Sequence, residues 1–173
     1  NDSIIDLSCY ESDDGEIHII DVTGGTGVYS YSWNAFPDST NSSISNLPIG
    51  TYFFSIEDEN ECLAFDTITV SQPNPLQSVI LQTTDASCKG FADASGSISV
   101  SGGTPGYQYS WLPLSTSTDS TISNVSAGTY EAFITDANGC QDTIEVIFEE
   151  PSIVTLKVDD IFNNLCFGDS LGS

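Results

Sequence analysis

The chain writes one pattern twice, and that internal period constrains its fold more than any other feature of the sequence. The stretch GGTGVYSYSW, residues 24–33, returns as GGTPGYQYSW, residues 102–111. Trp33 and Trp111, Tyr52 and Tyr130, Cys62 and Cys140, and Pro73 and Pro151 each stand 78 positions apart. A fixed period of this length marks a series of similar folded units, whatever total length alone suggests. The reading divides the 173 residues into units at 1–73 and 74–151, with 152–173 as the beginning of a third, truncated unit. The segment CFGDSLGS from Cys166 matches CKGFADASGS from Cys88, so the chain reads as a piece of a longer array.

Strand patterning fills each unit. Tyr107, Tyr109 and Trp111 share one face of an alternating segment; so do Tyr130, Ala132 and Ile134, and Ile144, Val146 and Phe148. The first unit repeats this with Tyr29, Tyr31 and Trp33, with Tyr52, Phe54 and Ile56, and with Ile68 and Val70. No segment has a helical period, and GGT, LPIGT, DENEC and DANGC supply the residues that turns require. The expected fold is all-β: tandem immunoglobulin-like β-sandwich repeats of about 78 residues, each with one disulfide. LPIGTY (residues 47–52) and VSAGTY (residues 125–130) resemble the tyrosine corner of such sandwiches, which makes Tyr52 and Tyr130 structural anchors. Trp33 and Trp111 fall on the strand that carries the buried tryptophan in these folds, and a core role is favoured over stacking on a carbohydrate.

Spacing suggests how the five cysteines pair. Cys9 with Cys62 and Cys88 with Cys140 make equivalent pairs, and Cys166 takes a partner beyond the chain. No Cys-x-x-Cys occurs and His18 is the sole histidine, so a zinc site is not expected. Disulfides imply an oxidising, extracellular location. This pairing raises a difficulty of topology: it requires an even number of strands between partners. Four are legible, where the immunoglobulin order has five. Either a weak strand hides in LPLSTSTDS, residues 112–120, or that linker runs along the flank of the unit.

Charge limits the partners. Twenty-five acidic residues against Lys89 and Lys157 leave a formal net charge of −23, which repels nucleic-acid phosphates and anionic lipid. No apolar run is long enough for direct membrane insertion and no signal peptide is evident. An enzyme is not expected. His18, whose counterpart reads as Gly96, has no identified partner, and Gly168-Asp169-Ser170 lacks the frame of a nucleophile elbow. No cofactor is expected apart from calcium, for which Asp58 and Asn60 in one loop, and Asp136, Asn138 and Asp142 in the other, offer oxygens; the plainer reading is that these residues build hairpin turns.

An opening cysteine, GGT-x-x-Y-x-Y-x-W, then G-T-Y, D-x-N-x-C and a closing proline together resemble the SprB-type repeat of very large cell-surface proteins of gliding and related Bacteroidota. The resemblance spans both full units. It implies an extracellular, bacterial cell-surface protein exported by the type IX secretion system, often an adhesin moved during gliding, with no catalytic residues. It also directs attention to the O-glycosylation pattern of that group, Asp-Ser/Thr followed by an aliphatic residue or threonine, matched at Ser3, Ser39, Thr67, Ser120, Thr143 and Ser170. The function expected is that of structural spacer or stalk repeats in an adhesin or filament, whose partners are neighbouring repeats of the same long chain. The alternative is a carbohydrate- or peptide-binding module that meets surface glycans or other surface proteins. Phe53 and Phe133, out of phase with the core, are expected either to be covered by a neighbouring repeat or to mark a sticky patch.

Overall fold

The computed structural model describes residues 2–37, 39–114 and 117–157; Cys166 and Ser170 lie outside them. The described residues form twelve strands and no helix. In the first half, β1 (Asp2–Ile5), β2 (Gly15–Ile19) and β4 (Ser43–Leu47) make one sheet, and β3 (Ser30–Trp33), β5 (Gly50–Glu57) and β6 (Leu63–Val70) make the other. The second half repeats the plan. There β7 (Gln77–Thr84), β8 (Ala94–Ser101) and β10 (Thr121–Val125) form one sheet, and β9 (Gln108–Leu112), β11 (Gly128–Thr135) and β12 (Gln141–Phe148) the other. Every pairing is antiparallel. Two three-stranded sheets whose strands interleave in this order are an immunoglobulin-like sandwich.

Alternation sends one face of each strand inward. Along β11, Tyr130, Ala132 and Ile134 are buried while Thr129, Glu131 and Phe133 face out. The halves have separate cores, one around Trp33, Leu47 and Val70, the other around Trp111, Ile134 and Phe148. Trp33 and Trp111 are almost fully buried, opposite Phe54 and Ala132 in the ladder. The hydroxyls of Tyr52 and Tyr130 donate to the carbonyls of Pro48 (2.7 Å) and Ser126 (3.0 Å), closing two tyrosine corners.

The segment after each tryptophan resolves the strand count. Residues 34–37 and 39–42 belong to no strand, although β3 and β4 lie in different sheets. The Trp33 indole donates to the Asn41 carbonyl and Trp111 to that of Asp119, each at 2.9 Å. The linker therefore runs along the flank of the sandwich, pinned to its core tryptophan. It makes a fifth pass without making a ladder, and so places the last turn of the unit at the end opposite the first loop.

The outward faces leave large apolar side chains in solvent. Phe53 is 55% exposed and Phe133 38% exposed. His18 stands half-buried on β2, its Nε2 2.9 Å from the Glu16 carboxylate. Its counterpart is Ser97 rather than Gly96: Ser97 pairs with Thr121 where His18 pairs with Ser43, while Gly96 takes the place of Ile17. The reason is that the opening cysteines, Cys9 and Cys88, are 79 apart, and that offset carries through the second strand.

Candidate functional site at the junction of the two units

The two motifs that define the repeat meet at one end of each unit. In the second half, Asp136 opens the turn between β11 and β12 and is buried. Its Oδ1 accepts from the backbone N–H of Asn138 (2.9 Å) and Cys140 (2.8 Å), and its Oδ2 from that of Thr104 (2.7 Å). Ala137 N–H donates to the Thr104 carbonyl at 3.1 Å. Gly103 is needed here twice over: its φ is +56°, and a Cβ on it would lie 2.5 Å from Asp136 Oδ2. So DANGC is fastened to GGT, and the turn is held rigid by one carboxylate.

The electrostatics follow from these contacts. Burial raises the Asp136 pKa, but amide hydrogen bonds from Thr104, Cys140, Asn138 and Gly139 outweigh it, and the carboxyl sits below its ordinary 3.8. Asp58 is built alike: Asn60 and Cys62 amides donate to Oδ1 at 2.9 Å, and Thr26 N–H donates to Oδ2 at 3.0 Å. The Cys62 amide is the leading cause of its lowered pKa. These oxygens are occupied by backbone donors. Asn60 and Asn138 point amide donors at Thr26 and Thr104, and Asp142 accepts from Ser78 N–H and Oγ at 2.7 and 2.6 Å, so the oxygens considered for calcium hold the turns and the first strand of the unit. Among the described residues no three His, Cys, Asp or Glu side chains cluster as a metal site.

The rigid turn delivers a bridge. Cys140 is disulfide-bonded to Cys9, 131 residues away, with a Cα–Cα distance of 5.7 Å. Asn138 Nδ2 donates at 3.0 Å both to Thr104 Oγ1 and to the Ser8 carbonyl in the other half. The linker joins in, with Gly103 N–H donating to Asn74 O at 2.9 Å. A disulfide and a bridging amide thus clasp the first loop of one unit to the last turn of the next.

This corrects the pairing expected from spacing. Cys9–Cys62 and Cys88–Cys140 do not form; Cys62 and Cys88 are free and exposed. The reason lies in the fifth pass. Cys62 immediately precedes β6, whereas Leu7 and Glu11, either side of Cys9, bond Ser71 and Gln72 just beyond its far end. Eight extended residues separate those ends by about 25 Å, several times the Cα separation a disulfide spans. Ser8, Thr104 and Gly103 also escaped the sequence reading as junction residues; GGT was legible only as a turn.

The remaining expected sites are dispersed. Thr67 and Thr143 are exposed on β6 and β12, and Ser3, Ser39 and Ser120 are half-buried.

One solved structure shares this architecture. A three-domain N-terminal fragment of the highly immunogenic outer capsid protein of bacteriophage RB49 aligns with 86% of the chain at a TM-score of 0.52 and 11% identity. The chain spans 57% of that fragment's length, and at that identity the likeness concerns the fold alone. The amphioxus IgVJ-C2 molecule aligns with 82% of the chain and 99% of its own length, at 14% identity and a TM-score of 0.39. No curated protein matches the chain. The SprB repeat family matches it twice, and the chain carries that repeat pattern at residues 1–35 and 80–116.

Proposed function

We propose that these units are structural spacers of a large extracellular surface protein, an adhesin or filament exported by the type IX system and serving gliding or attachment, with no catalytic role. The observation that carries this reading is the Cys9–Cys140 bridge. Each unit already has its own core, so neither depends on the bridge to bury its apolar face. What it restrains is the joint. A spacer under tension needs that restraint, and an oxidising exterior sustains it.

A binding-module reading has one observation in its favour. Phe53 and Phe65, 55% and 76% exposed, flank an open groove of about 470 Å³ on the outer face of β3, β5 and β6. The second unit places Glu131 and Thr143 at those positions, so the groove belongs to one unit and is not a property of the repeat. The spacer reading is preferred on that ground.

Pulling the chain by its two ends in a single-molecule force experiment tests it. The bridge hides from extension the chain between the cysteines, which are 131 positions apart, and reduction should release about 450 Å of additional contour in separate unfolding steps. An oxidised chain that extends as far as the reduced one would overturn the reading.

A further inference from the structure

We propose that Cys62 and Cys88 are two halves of further clasps of the same construction. Cys62 takes the opening cysteine of a preceding unit, and Cys88 the closing cysteine of a following one. The proposal rests on the spacer reading and extends it from one junction to a continuous covalent array.

Both half-sites are already built. Around Cys62, Asp58 accepts from Asn60, Cys62 and Thr26 as Asp136 does from Asn138, Cys140 and Thr104. Asn60 Nδ2 donates to Thr26 Oγ1 at 2.5 Å, matching Asn138 on Thr104, and the second hydrogen of the Asn60 amide corresponds to the one Asn138 gives to the Ser8 carbonyl. Around Cys88, Ala86 N–H donates to the Glu149 carbonyl as Leu7 N–H does to Ser71. Ser87 N–H is held by Asp93 Oδ1 at 3.0 Å as Ser8 N–H is by Asp14 Oδ1 at 3.1 Å. The Ser87 carbonyl and Cys88 thiol are therefore presented as Ser8 and Cys9 are.

The chemistry balances as a thiol–disulfide exchange. The two thiols lose their protons, one Sγ–Sγ bond forms, and the two electrons reduce a small-molecule or protein disulfide to two thiols. Because every bridge skips from an opening cysteine to the closing cysteine of the next unit, successive bridged loops overlap. From Cys140 the chain runs only 26 residues to Cys166, the next opening cysteine, before another bridge begins. Such an array yields little length even if individual units unfold.

The test uses a second copy of this chain as the neighbouring unit, with Cys166→Ser removing the other opening cysteine. Oxidation in a glutathione redox couple should give a ladder on a non-reducing gel, with peptide maps showing Cys88 linked to Cys62 of another copy and Cys9–Cys140 intact. Adding Cys62→Ser or Cys88→Ser should abolish the ladder, and mixing those two variants should restore dimers only. Homotypic Cys62–Cys62 or Cys88–Cys88 links equal in yield to the heterotypic one, a Cys62–Cys88 link within one chain, or no link at all would overturn the proposal while Cys9–Cys140 remains. Absence of Cys9–Cys140 itself would overturn the spacer reading as well.

Discussion

At the scale of the residue, Asp136 shows how one buried carboxylate substitutes for several turn contacts. Its oxygens collect backbone donors from two loops, so ionisation rather than hydrophobicity holds the junction in shape. Asp136→Asn would set an amide NH2 against one of those donors, at a cost of about 1–3 kcal/mol. The sign of the pH dependence follows from the lowered pKa. A carboxyl whose folded pKa lies below its unfolded 3.8 stabilises fully above that value, and the contribution fades as pH falls through the folded value. Denaturant unfolding should therefore show the parent more stable than Asp136→Asn at neutral pH, with the gap closing below about pH 4. A gap that stays constant into acid would contradict the role assigned to the charge.

At the scale of the element, the two units fill equivalent cores with different side chains. Where the first unit puts Ile17 on β2 and Val70 at the end of β6, the second puts Gly96 on β8 and Phe148 at the end of β12. The exchange is steric: a Cβ on Gly96 would stand 2.9 Å from Phe148 Cζ. Gly96→Ile alone should overpack that site, at about 1–3 kcal/mol. Phe148→Val alone should leave a cavity costing about 2 kcal/mol. The double variant restores the first unit's combination. Thermal or denaturant unfolding should show it more stable than the sum of the single changes by about 1–3 kcal/mol, and strict additivity would refute the pairing. Here the repeat conserves volume across two sheets rather than residue identity along one strand.

At the scale of the whole molecule, the net charge of −23 acts against compaction, and the acidic side chains that are not engaged as Asp58 and Asp136 are repel one another across the surface. Screening should therefore raise the melting temperature as salt increases. Because the turn carboxylates are already occupied by backbone amides, calcium and magnesium at equal ionic strength should raise it equally. A gain specific to calcium and reversed by chelator would show that the loops bind the ion after all.

How far the sequence reaches can be followed through particular residues. Alternation along β11 and β12 and the shared spacing of Trp33 and Trp111 made the all-β, immunoglobulin-like fold legible, because a two-residue period and a turn composition are local properties. Residues 34–37 and 39–42, and 113–114 and 117–120 in the second unit, belong to no strand. Backbone outside a ladder needs no alternation, so the fifth traverse of the sandwich could not be counted from sequence.

The cysteine pairing depended on that count. By itself the sequence determined that strands of this pattern recur with their cysteines at a fixed period, since hydrophobic periodicity and turn chemistry act over a few residues. Only the tertiary structure decided that Cys9 meets Cys140 and not Cys62. Which ends of the strands come together depends on the path of the whole chain, and a disulfide forms where the path leaves two sulfurs within reach.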